Sequence, residues 1–143
     1  MNLTGKRVVI TGAAGGIGAA MARHFHAEGA ILVLSDLKAP ENLAAELDAT
    51  AVQCDVSDET QVAGLVEQAG EIDLFCANAG IATGLGLDAT AQDWERSWAV
   101  NVMAHVHSAR AVLRQAHRSA SPSLAYGCAR FGSAWAMPLR GEA

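Results

Sequence analysis

Arg7-Val-Val-Ile-Thr11-Gly12-Ala-Ala-Gly15-Gly16-Ile17-Gly18 is the stretch that decides the fold. Arg7 to Thr11 is a short β-branched apolar run, read as a buried strand. Gly12 to Gly18 is a Gly-rich turn. From Ile17 to Glu28 the residues Ile17, Ala20, Met21 and Phe25 keep helical spacing, and Gly29 is a natural stop. A Gly-rich turn by itself is only a turn. Placed between a strand and a helix, it has the context of a phosphate cradle. Gly12 then permits the tight turn, Gly16 lets backbone approach a pyrophosphate, and Gly18 lets helix and strand pack closely. The helix start adds unpaired N–H groups and the positive end of its dipole.

The pattern repeats outward. Ala30–Ser35, Ala51–Cys54 and Ile72–Ala77 read as strands. Pro40–Leu47 reads as a helix with Pro at its start. Ser57 or Asp58 can cap a helix that runs to Ala69 and stops at Gly70. Thr90-Ala-Gln-Asp93 resembles a capping box, with an acid one carbon shorter than the preferred Glu. The helix after it is expected from Ala91 past Arg110. Strands alternating with helices predict right-handed βαβ units: an α/β, Rossmann-type, doubly wound parallel sheet in three αβα layers. Only four strands are legible, so the sheet is expected to be incomplete. Ile72–Ala77 would then be an open apolar edge that invites aggregation, a partner or a homo-oligomer.

The chain is 51% apolar with a net charge of −5, a globular composition whose sign argues against nucleic acid and anionic membrane surfaces. No apolar run approaches the length of a membrane span, and the start carries no signal-peptide core. Three scattered cysteines, with no CxxC, make no disulfide framework, so a cytoplasmic location is expected. Near Leu113 the character changes. Residues 1–113 carry a charge balance of −8 and residues 114–143 one of +3, with Ala, Arg, Ser and Gly dominating and no clear strand or helix period. The expected division is therefore a dinucleotide-binding unit at 1–113 and an atypical tail at 114–143. That tail is either irregular and disordered or, since Ala, Arg and Gly are residues that GC-rich codons encode, translated out of frame.

Asp36 ends the second strand eighteen residues after Gly18, close to where an acid should meet the ribose hydroxyls of a dinucleotide. A 2′-phosphate would be repelled there, so NAD is expected and NADP disfavoured, with Lys38 close enough to soften the preference. The glycine spacing is TGxxxGxG rather than GxGxxG. In this it resembles the short-chain dehydrogenase/reductase family. Asp55 and Val56 look like the family's adenine-contacting pair. Asn78-Ala79-Gly80 is similar to its NAG motif, which steadies the sheet and borders the cofactor. Asn101, in Asn101-Val102, looks like its helix asparagine, which supports a proton relay. The resemblance covers residues 5–113. It implies a cofactor-binding set of Thr11, Gly12, Gly15, Gly16, Ile17, Gly18, Asp36, Asp55, Val56, Asn78, Ala79 and Gly80, with Asn101 on the catalytic side. It also implies hydride transfer between a nicotinamide cofactor and a small alcohol or carbonyl.

The departure is as specific. The family works with a Ser and a YxxxK pair on a fifth strand and the following helix. Here the one tyrosine is Tyr126 and the lysines are Lys6 and Lys38, so YxxxK cannot form. Tyr126-Gly-Cys-Ala-Arg130 copies the spacing with an Arg of different shape. It could serve only if residues 126–130 were helical. The rival expectation is therefore a dinucleotide-binding fragment without turnover. His24/His26 and His105/His107 have i,i+2 spacing, which scatters their directions on a helix, so no metal site is expected. Cys54 and Cys76 read as core residues. Trp94 and Trp98, at i,i+4, read as core or subunit packing.

Overall fold

In the computed structural model, residues 2–84, 86–119, 125–130 and 133–138 are described. The strands are β1 (Arg7–Thr11), β2 (Ile31–Asp36), β3 (Thr50–Gln53), β4 (Leu74–Ala77), β5 (Ala125–Arg130) and β6 (Ser133–Pro138). The helices are α1 (Gly16–Ala27), α2 (Glu41–Glu46), α3 (Glu59–Ala69), α4 (Ala91–Trp98) and α5 (Ala104–Ser119). A π-helical turn at Ala99–Met103 joins the last two.

Side chains alternate across a strand, and in β1, β2 and β4 both faces are buried. Val8 and Ile10 of β1, Leu32 and Leu34 of β2, and Leu74 and Cys76 of β4 face Ala19 and Ala22 of α1 and Leu43 and Ala44 of α2. Val9, Val33, Val52, Phe75 and Ala77 point the other way, into Val62, Leu65 and Val66 of α3 and Ala104, Ala111 and Val112 of α5. These two cores make the three αβα layers. The strand order is β3-β2-β1-β4-β5-β6. Neighbours are parallel throughout except β5 and β6, which are antiparallel.

Local chemistry sets the ends of these elements. Asp58 caps α3 by accepting from the Thr60 and Gln61 N–H groups, and Gly70, at φ 70°, terminates it. Thr90 and Asp93 close a complete capping box on α4 despite the shorter acid. Asp73 ties the starts of β1 and β4 together. One of its oxygens pairs with Lys6 Nζ at 2.9 Å and the other accepts from the Arg7 N–H at 2.9 Å.

Two expectations are corrected. β4 is not an open edge: it pairs with β1 on one side and with β5 on the other, Leu74 opposite Ala125 and Phe75 opposite Tyr126. A strand's ladder needs only backbone N–H and C=O groups, so the unusual composition of 125–130 did not prevent pairing. Nor is 114–143 without helix or strand. The described part continues α5 to Ser119 and then forms β5 and β6. Ala, Arg and Gln are good helix formers. Gln115 also donates to the Val66 carbonyl at 2.9 Å, which anchors this turn to α3.

Candidate cofactor site

A cleft of about 1040 Å³ opens at the C-terminal ends of β1, β2 and β4. It lies where the strand order reverses, between β1 and β4, the usual ligand position in such sheets. Gly12, Gly15, Ile17, Gly18, Asp36, Asp55, Val56, Asn78, Ala79, Gly80 and Asn101 all line it. Thr11 and Gly16, also expected in the cofactor-binding set, are not part of the lining.

Thr11 acts from behind. Its buried Oγ1 accepts from the Asn78 and Ala79 N–H groups, each at 3.1 Å, and lies 3.4 Å from the Cys76 carbonyl, to which it donates. The Asn78 amide returns the tie by donating to the Thr11 carbonyl at 2.9 Å and to that of Gly12 at 3.2 Å. The end of β1 and the Asn78-Ala79-Gly80 turn are thus one hydrogen-bonded unit. Gly12 has φ +68°, and a Cβ there would come within 2.7 Å of Ala79 Cα. A Cβ on Gly18 would collide with the Gly12 carbonyl. α1 therefore starts as close to the strand end as backbone allows. Gly15, which precedes α1, provides no side-chain cap, so the first N–H groups of the helix have none.

Asp36 accepts from the Ala14 N–H on Oδ2 at 2.9 Å and from the Leu37 N–H on Oδ1 at 2.8 Å. Asp55 is held by its own turn: Oδ1 accepts from the Ser57 N–H and hydroxyl, and the Asp55 N–H donates to Gln61. Asn101 lies in the π-helical turn. Its Oδ1 accepts from the Ile81 N–H and its Nδ2 donates to the Ile81 carbonyl, both at 2.8 Å. It fastens the segment after β4 to the long helix. Turns of this kind are frequent at functional sites.

The cleft contains residues that the motifs did not name. Arg96, Val100 and His105 reach it from α4, the π turn and α5. Helical spacing from Asn101 is the signal that would have found His105. His107 instead faces α3, with Nδ1 3.7 Å from Glu59. The described residues contain no cluster of metal-ligating side chains. Cys54 lines the cleft but is only 1% exposed. Burial pushes its thiol up to about 11 and that of Cys76 up to about 12. Both remain protonated near neutral pH, which suits core residues and not nucleophiles. Trp94 and Trp98 are not core: they are 65% and 61% exposed.

Tyr126 and Arg130 are not on a helix. Both lie in β5, where residues four apart are separated by roughly 13 Å along the strand. The spacing that would bring them together on one helical turn does not do so here. The placement of their side chains lies outside the described residues.

The profile of the short chain dehydrogenase family matches residues 6–123. This chain belongs to that family. It is 42% identical over 112 residues to a meso-2,3-butanediol dehydrogenase of Serratia marcescens, covering 71% of this chain and 45% of that protein. It is 37% identical over 116 residues to a cyclic-di-GMP-binding biofilm dispersal mediator protein of Escherichia coli, covering 78% and 49%. A solved short-chain dehydrogenase/reductase from Brucella melitensis superposes with a TM-score of 0.74 at 31% identity, covering 80% of this chain and 54% of that one. The chain spans about half the length of the curated relatives it matches. The short-chain dehydrogenases are oxidoreductases that bind nicotinamide dinucleotides, which fits the Rossmann-type sheet. None of the helices among the described residues is long and apolar enough to cross a membrane.

Proposed function

We propose that this chain is the dinucleotide-binding half of a short-chain dehydrogenase, that it holds NAD(H) in the cleft, and that it disfavours NADP(H). One observation carries this reading: eleven of the residues expected at the site line a single cleft at the sheet's switch point. The start of α1 and its glycines offer N–H groups to a pyrophosphate. Asp36 offers carboxylate oxygens to ribose hydroxyls and repels a 2′-phosphate. Asp55 and Val56 border an adenine, and the Asn78-Ala79-Gly80 turn with Asn101 borders the nicotinamide side. The bound nicotinamide would supply the hydride chemistry between an alcohol and a carbonyl. The protein's part is to bind and orient. Titrating the protein with NADH and with NADPH tests the proposal. NADH is expected to bind at least about ten-fold more tightly, a difference of ~1.4 kcal/mol. Equal or tighter NADPH binding overturns it.

A second reading concerns this chain as it stands. With lysines only at 6 and 38, no Tyr-Lys pair can deliver a proton, which favours cofactor binding without turnover. The composition of 114–143 is consistent with out-of-frame translation. Reading the coding DNA past codon 113 in the other frames tests that, and a YxxxK there would restore the oxidoreductase. Two lesser proposals belong to this reading. The free, buried Cys54 and Cys76 suit the cytoplasm. The exposed Trp94 and Trp98 of α4 suit contact with a second copy of the chain.

A further inference from the structure

Asp36 does more in the structure than face a ribose. Its carboxylate bridges two stretches of backbone: Oδ2 accepts from the Ala14 N–H at 2.9 Å, inside the Gly-rich turn, and Oδ1 accepts from the Leu37 N–H at 2.8 Å. The first bond joins residues 22 apart in sequence. Nearby, Ala13 donates its N–H to the Ser35 carbonyl at 3.0 Å. Beyond Ala14, the Gly15 carbonyl accepts from the Ala19 N–H at 3.2 Å as α1 begins. A Cβ on Gly15 or Gly16 would meet nothing within 4 Å, and Gly16 sits at φ +53°.

We propose that Asp36 is a positioning residue for the phosphate-binding turn, latching Ala14 before any cofactor arrives. This rests on reading the cleft as a dinucleotide site. An ionised carboxylate has about four acceptor positions. Two are used by the Ala14 and Leu37 N–H groups, and two remain for ribose hydroxyls, so latching and ribose reading do not compete. Ordering the turn in advance lowers the entropy cost of binding the pyrophosphate. Removing Asp36 therefore weakens binding of a part of the cofactor that Asp36 never touches. Loss of its charge alone does not convert the site to NADP(H).

The test compares wild type, Asp36→Asn and Asp36→Ala. Both variants are uncharged, but only Asn keeps an oxygen for the Ala14 N–H. The first readout is amide hydrogen exchange in the cofactor-free protein, with Val9 and Ile10 as internal standards for the fold. Ala14 exchange should quicken by about ten-fold or more in Asp36→Ala and be largely restored in Asp36→Asn, since hydrogen bonds to charged groups are among the stronger ones. The second readout is titration with inorganic pyrophosphate, which has no ribose. Asp36→Ala should bind it several-fold more weakly than Asp36→Asn. Unchanged Ala14 exchange in Asp36→Ala, or equal pyrophosphate affinity in the two variants, overturns the latch. Failure of NADH to bind wild type while Ala14 responds as expected overturns the cofactor assignment and leaves the latch standing.

Discussion

Thr11 holds two backbone donors of the Asn78-Ala79-Gly80 turn with one buried hydroxyl. Thr11→Val keeps the shape and removes the acceptor, leaving the Asn78 and Ala79 N–H groups unpaired. The expected loss is about 2 kcal/mol, from the usual cost of leaving two partly buried donors unpaired. It would be seen as a lower urea midpoint at unchanged slope, and Thr11→Ser should recover most of it. A midpoint unchanged by Val would show that the hydroxyl is not what joins β1 to the turn. The places of Gly12, Gly18 and Asp36 in the cleft were legible in the sequence, the glycines from the backbone's need for a tight turn and close packing, Asp36 from its fixed offset at a strand end. His105 and Arg96 were not, because their place in the cleft depends on how the long helix leans across the sheet. Cys54 was legible only as core, since nothing local distinguishes a buried floor of a cleft from the interior.

Asp73 links β1 to β4, so its ionisation is a property of the sheet. Partial burial pushes its carboxyl up, but the Lys6 ammonium and the Arg7 N–H outweigh that and hold it below the ordinary value. A depressed folded-state value gives stability that is present above the unfolded value near ~4 and is lost as pH falls through the folded one. Asp73→Asn should therefore cost about 1 kcal/mol at pH 7, modest because the Lys6 pair is half exposed. Its urea midpoint should converge on that of wild type as pH falls below about 4. A gap that persists in acid would assign the effect to packing. The sequence predicted β1 through β4 and the helices between them because each carries its own periodicity and punctuation. β5 and β6 were not predicted: β5 pairs with the edge of β4 and β6 with β5, long-range pairings that the sequence of 125–138 does not express. The long helix was anticipated, but its interruption at Ala99–Met103 was not. That π turn coincides with the bonds from Asn101 to Ile81, a long-range demand with no local signature.

As a whole, the molecule unites a family-typical cleft with an atypical continuation. The β5 strand stands beside β4, and a second strand follows it where the resemblance implied a helix bearing Tyr and Lys. A positioned general acid typically contributes about 10²–10⁴-fold, so the chain should show no change in NADH absorbance above background, whether NAD⁺ is offered with alcohols or NADH with ketones. Turnover that vanished in both Tyr126→Phe and Arg130→Ala would reverse that conclusion. The most direct test of the central claim is mapping of backbone amide chemical shifts as NADH is added. Changes should saturate at one equivalent and concentrate on Gly12–Gly18, Asp36, Asp55–Val56, Asn78–Gly80 and Asn101. A spectrum that does not change with NADH, or changes confined to residues away from these, would contradict the account.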